Sequence, residues 1–156
     1  MNVLRSCLML FVVLVFSACQ RSGVTDLGYH PHANPSTDLA QARELAAQTG
    51  RKVLIIAGGD WCRWCHVLQR FLERNRDVQT ELDRAFVVLK VYIGDENVNE
   101  QFFSGLPEAV GYPHFWVMAS DGTVLKSIDT AGVESGPDDY DKNLFLQLIR
   151  DADEPN

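Results

Sequence analysis

Two cysteines three positions apart, Cys62 and Cys65, are the residues of this chain best placed to do chemistry, in the run Trp61-Cys62-Arg63-Trp64-Cys65-His66. Thiols at that spacing on one helical turn can close a disulfide and open it again by thiolate attack. Their helix position separates their roles. At the first turn the sulfur of Cys62 faces unpaired backbone N–H groups and the positive end of the helix dipole, which stabilise a thiolate and lower its pKa from about 8.5. Arg63 adds a positive charge beside it. Cys65, one turn further in, is expected to be the shielded, resolving thiol that attacks the mixed disulfide formed by Cys62. A purely structural bridge is a poorer reading, because closing so short a loop stabilises a domain only slightly.

The same residues admit rival readings. Cys62-Arg63-Trp64-Cys65-His66 fits C-x-x-C-H, the attachment signature of c-type haem, with His66 as axial ligand. Against it, an apolar strand runs straight into the motif, Tyr112-Pro113 has no haem-related purpose, and Met118, the one plausible methionine ligand of the mature chain, falls in an expected strand. Cys62, Cys65 and His66 are also a donor set for a soft metal, but all three crowd into one turn and no fourth ligand is evident. His30 and His32 flank Pro31 with no cysteine or carboxylate cluster nearby and read as solvated loop. The favoured reading therefore carries no metal and no cofactor, with haem or soft-metal binding as the alternative. A non-catalytic recognition domain is the third rival, and the presence of both cysteines argues against it.

The surrounding pattern supplies the elements that must hold this pair. Residues 53–57 (VLIIA) form a continuous apolar run of strand length, as expected of a central strand covered on both faces, and Gly58-Gly59-Asp60 ends it just before the cysteines. Leu68, Phe71 and Leu72 then recur at helical spacing from about Cys65, opposite Arg70, Glu73 and Arg74. Residues 37–48 form a first helix ended by Gly50, and residues 86–93 (FVVLKVYI) a second buried strand. A short helical stretch near 98–103 precedes Gly111-Tyr112-Pro113. Strands at 114–118 and 124–128 are joined through an Asp-Gly turn, and a last helix spans about 140–150 with an apolar stripe of Tyr140, Leu144, Phe145, Leu148 and Ile149. The order helix, strand, helix, strand, helix, hairpin, helix predicts an α/β sandwich with a mixed sheet flanked by helices.

Ahead of this domain lies an address. Arg5 and the unbroken apolar run 7–16 read as a secretory signal, too short for a mature membrane span. The run ends in Phe16-Ser17-Ala18-Cys19, which resembles the lipobox of bacterial lipoproteins, with Phe16 in place of the usual Leu. That resemblance implies cleavage before Cys19 and lipid on its sulfur, hence a lipoprotein anchored in the bacterial cell envelope and facing the periplasm. Residues 19–36, broken by Gly, Pro, Asn and Ser, read as a tether, residues 37–151 as the domain and 152–156 as a polar tail. The 156 residues, 46% hydrophobic, suffice for one core. With 14 Lys and Arg against 21 Asp and Glu, a net charge of -7, nucleic acid is excluded as a partner.

The Trp-Cys-x-x-Cys run after a hydrophobic strand, together with Tyr112-Pro113 before the last hairpin, resembles the thioredoxin superfamily over about 37–150. The resemblance implies a thioredoxin-like α/β sandwich and thiol-disulfide exchange with protein thiols and disulfides and with a redox partner protein. It also implies that Pro113 is cis, lies against the cysteines and presents the backbone of Tyr112 to substrate. Trp61, Arg63 and Trp64 would line the same site, Trp64 as an apolar platform where thioredoxins carry a small residue. The chain departs from the family in one place that bears on mechanism. Thioredoxins place a buried carboxylate six residues before the first cysteine, where this chain has Ile56. Asp60, His66 and His114 are then the candidates for proton transfer. Spacing does not decide between reduction, oxidation and isomerisation.

Overall fold

The computed structural model describes residues 28–155, so the expected signal at 1–18 and lipidated Cys19 lie outside the described residues. Helix α1 (Pro35–Thr49) leads into strand β1 (Lys52–Gly58). Two helices follow, α2 (Arg63–Arg74) and α3 (Arg76–Ala85), then strand β2 (Phe86–Tyr92) and the one-turn helix α4 (Glu100–Phe103). Strands β3 (His114–Met118) and β4 (Val124–Asp129), a two-stranded ribbon of β5 (Glu134–Ser135) and β6 (Asp139–Tyr140), and helix α5 (Lys142–Asp153) complete the chain.

The sheet runs β2-β1-β3-β4. Strand β1 pairs with β2 in parallel and with β3 antiparallel, and β4 is antiparallel to β3, so the sheet is mixed as its sequence order predicts. Side chains of a strand alternate between faces, and both faces of β1 are filled. Leu54 and Ile56 join Leu68, Phe71, Leu82, Phe115 and Phe145 in a core beneath α2, α3 and α5. Val53, Ile55 and Ala57 join Ala42, Ala46 and Trp116 beneath α1. This two-sided burial is why residues 53–57 show no alternation of apolar and polar types.

Element boundaries differ from the expected ones where side chains outside the periodic run take part. Helix α1 starts at Pro35, because the Asn34 side chain accepts the N–H groups of Ser36 and Thr37 at 3.1 Å each. It stops at Gly50, whose φ of 68° is the left-handed conformation that glycine adopts without a Cβ penalty. Helix α3 has no counterpart in the expected order. It buries Val78, Leu82 and Ala85 from an otherwise polar segment, and Asn75 divides it from α2. Tyr140 belongs to the ribbon rather than to α5, where Asp141 accepts the N–H groups of Asn143 and Leu144 and so starts the helix after it.

Both ends of the domain reach further than expected. Tyr29 is buried and the side-chain amide of Asn97 donates to the Pro31 carbonyl at 2.9 Å, so residues 29–36 belong to the folded unit rather than to a tether. At the other end Ala152 is buried and Asp153 pairs with Lys52 at 3.0 Å, which draws part of the expected polar tail into α5. Among the described residues no helix is long and apolar enough to cross a membrane.

Candidate active site

Strand β1 delivers the chain to the site and Gly58 to Asp60 turn it. The Cys62 N–H donates to the Gly59 carbonyl at 3.0 Å, and Cys62 then caps α2 with extended backbone (φ -88°, ψ 106°). Its Sγ accepts the backbone N–H of Cys65 at 3.1 Å. A sulfur in the cap position therefore accepts the backbone hydrogen bond that a Ser or Asp oxygen accepts in other helices. The first turn of α2 holds no acidic residue, and exposed Arg63 occupies its first position. Helix dipole and amide donor both favour a thiolate at Cys62 once the pair is reduced.

Cys62 and Cys65 form a disulfide with their Cα atoms 5.2 Å apart. Cys62 is 4% exposed and Cys65 2%, so exposure barely separates them; their places at the cap and inside the helix do. Gly58 explains how Cys65 fits. A β-carbon at Gly58 would lie closer than 3.0 Å to both Cys65 Sγ and Tyr29 Oη, so the absence of a side chain there makes room for the sulfur.

The two cysteines cluster with Tyr29 and Tyr92, and Trp64 and Tyr112 pack against them. The Tyr112-Pro113 bond is cis, and the Pro113 carbonyl accepts the buried Thr130 hydroxyl at 3.0 Å. Trp61, 56% exposed, is the open aromatic of the site; its indole N–H donates to the Ile93 carbonyl at 2.5 Å. Its ring needs glycine at two places, since a β-carbon at Gly59 or Gly94 would lie 2.6 Å from the indole nitrogen. Trp64 is half-buried, edge-on to Tyr140 with centroids 5.3 Å apart, so it covers the flank of the core as well as lining the rim.

A family model described as thioredoxin-like matches residues 34–120, more than half of the chain. The chain belongs to the thioredoxin-like family. Among solved structures, a disulphide isomerase from Xylella fastidiosa Temecula1 is similar with a TM-score of 0.69 at 23% identity, over 83% of this chain and 99% of that one. The oxidised C-terminal domain of Neisseria meningitidis DsbD is similar with a TM-score of 0.56 at 14% identity, over 77% of this chain and 97% of that one. Its reduced form gives 0.52 at 15% identity, over 75% and 96%. No curated protein matches the chain. A thioredoxin-like fold that holds a Cys-x-x-Cys pair supports thiol-disulfide oxidoreductase chemistry.

Within this thioredoxin-like domain the three proton-transfer candidates fall in different places. His66 is exposed on α2, and its Nε2 lies 2.7 Å from the backbone carbonyl of Asp60. Asp60 is exposed too, and leaves the capping of α2 to Cys62. His114 is not brought to the cysteines. It is buried on the α1 face of the sheet, tilted against Trp116 with centroids 4.5 Å apart, and its Nε2 is 2.8 Å from the Ser127 hydroxyl. Burial lowers its pKa below the ordinary 6.5, against an opposing pull from Asp129. Ile56, in the position of the family's acid, is 1% exposed among leucine and phenylalanine side chains. His30 and His32 are exposed, and among the described residues no three His, Cys, Asp or Glu side chains gather as a metal site would require.

Tyr29, Tyr92 and Gly58 are the neighbours of the pair that motif reading misses. The only local signal for Tyr29 was a lone aromatic in a polar stretch. Burial raises the Tyr29 phenol above its ordinary pKa, with Tyr140 and Asp60 adding to the rise. The Lys90 ammonium lies 4.7 Å from the centre of its ring.

Proposed function

We propose that this protein exchanges thiols and disulfides in proteins of the bacterial cell envelope, with Cys62 as the attacking sulfur and Cys65 as the resolving one. The observation that carries the reading is Cys62 at the cap of α2, its Sγ on the Cys65 amide and within bonding reach of Cys65 Sγ. In the reducing direction the Cys62 thiolate attacks a substrate disulfide; one S–S bond breaks, one forms, and the first substrate sulfur leaves as thiolate. Cys65 then attacks Cys62 Sγ, closes the internal disulfide and frees the second substrate sulfur. Two electrons pass to the substrate, and the reverse sequence oxidises it. Arg63 tunes the thiolate, while Trp61, Trp64, Tyr112 and cis Pro113 form the edge on which an extended substrate segment rests.

The envelope setting rests on the lipobox-like Phe16-Ser17-Ala18-Cys19 and on the need of a dithiol couple for disulfide substrates. In this reading a lipid on Cys19 ties the domain to the membrane, and a separate redox protein resets Cys62 and Cys65. The similar structures named for disulfide isomerisation and for DsbD fit such work.

The test is a pair of variants. Cys62→Ser is expected to abolish exchange, and Cys65→Ser to accumulate mixed disulfides with client proteins; full activity in Cys62→Ser refutes the assignment. Cys19→Ser is expected to release the protein from membranes, and unchanged membrane association would remove the anchor from the reading.

A further inference from the structure

The resolving sulfur of a dithiol couple must lose its proton to attack and must carry charge when it is expelled. Here the position from which thioredoxins would supply an acid holds Ile56, sealed in the core. His114 faces the other side of the sheet, and His66 points back to the Asp60 carbonyl at the surface. What does converge on Cys65 is the hydroxyl of Tyr29. A single point beside Gly58 lies within 3.0 Å of both Cys65 Sγ and Tyr29 Oη. That hydroxyl is buried and, among the described residues, has no hydrogen-bond partner.

A buried hydroxyl without a partner costs free energy that a folded protein ordinarily avoids. A disulfide sulfur is a poor acceptor; a thiolate is a strong one, and hydrogen bonds to charged groups are the stronger kind. Opening the disulfide therefore offers Tyr29 the partner it lacks in the closed state. We propose that Tyr29 is the hydrogen-bond donor to Cys65, its O–H holding the sulfur as thiolate both when it attacks Cys62 and when it leaves. This rests on the reading of Cys65 as the resolving thiol.

The phenol stays protonated throughout. The proton that Cys65 gives up passes to solvent, the S–S bond between Cys62 and substrate breaks, and the bond between Cys62 and Cys65 forms with the electron pair leaving on the substrate sulfur. Lys90, from β2, places its positive charge over the Tyr29 ring. Among the described residues, Tyr92 from β2, Tyr112 from the loop before β3, Tyr140 from β6 and Asp60 from the turn before α2 are the other titratable groups that pack around or act on the phenol.

The experiment uses the reduced mature protein and an aromatic disulfide probe that releases one coloured thiolate when Cys62 attacks and a second when Cys65 resolves. Tyr29→Phe keeps the ring and removes one oxygen. Expected is a second release slowed about tenfold near neutral pH, with its pH profile moved up by about one unit, while the first release changes less than about twofold. A second release of unchanged rate and pH midpoint overturns the proposal and leaves the assignment of the pair standing. Equal slowing of both releases also overturns it, because that marks a general disturbance of the fold. In Cys62→Ser the first release should vanish; its persistence would overturn the assignment of the pair and the role of Tyr29 with it.

Discussion

The rings of Trp61 and Tyr112 meet edge to face, with centroids 5.6 Å apart and planes at 81°. This contact joins the residue just before Cys62 to the residue just before cis Pro113, two segments far apart in sequence. The Trp61 N–H on the Ile93 carbonyl fixes the third side. The Trp61 side of the aromatic rim is thus held by the loops that bracket the disulfide rather than by the core.

An aromatic contact of this kind contributes about 0.5–1.5 kcal/mol, and Trp61 is mostly exposed. Trp61→Ala is therefore expected to lower kcat/KM for a disulfide peptide by up to about tenfold and to move the thermal midpoint by only a few degrees. Steady-state kinetics beside a melting curve separates the two effects, and a collapse of stability with unchanged kinetics would contradict the rim assignment.

Gly58→Ala tests the fit of Cys65. Its β-carbon would meet Cys65 Sγ and Tyr29 Oη closer than 3.0 Å, in a strand that leaves little room to shift. Overpacking of this sort costs about 1–3 kcal/mol, so the urea midpoint should fall. Gly132→Ala, where a β-carbon meets nothing within 4 Å, is the control and should leave the midpoint nearly unchanged.

His114 gives the fold an acid sensitivity with a definite sign. Because burial lowers its pKa in the folded state, the unfolded chain takes up the proton first. Its neutral form supports the fold fully above the ordinary 6.5, and that support declines as the pH falls below it. His114→Gln, which keeps a donor for Ser127, is expected to flatten the stability profile below about pH 6.5. Chemical denaturation at a series of pH values reads this out; an equally steep decline in the variant would assign the sensitivity elsewhere.

Asp153 ties the end of α5 to Lys52 at 3.0 Å and to Arg84 at 3.2 Å. Burial pushes its pKa up, but the hydrogen bond and charge of Lys52, with Arg84, outweigh that and hold the carboxyl below the ordinary 3.8. Its contribution is present above that value and is lost as the pH falls through the lower folded one. Since the pair is partly solvated, Asp153→Asn should cost no more than about 1 kcal/mol at neutral pH and nothing in strong acid. Denaturation midpoints at the two pH values measure it.

Much of this molecule is local in origin and could be read without coordinates. An unbroken apolar run at 53–57 gave the central strand, helical spacing of Leu68, Phe71 and Leu72 gave α2, and Asp121-Gly122 gave the turn before β4. Helix α3 was harder to see because only Val78, Leu82 and Ala85 mark its buried face in a strongly polar segment. His114 was legible as a residue beside Pro113 but not as one turned to the opposite face, since that depends on the register of β3 against β1.

From residue types and spacing alone came the Cys62 and Cys65 pair and the strand-to-helix junction that carries it, because a three-residue reach and an apolar run are short-range properties. What surrounds the second sulfur was decided only by the fold. Tyr29 arrives from before α1, Gly58 from the end of β1, Tyr92 from β2 and Tyr112 from the loop before β3, and burial assembles them from segments whose sequence separation encodes no proximity.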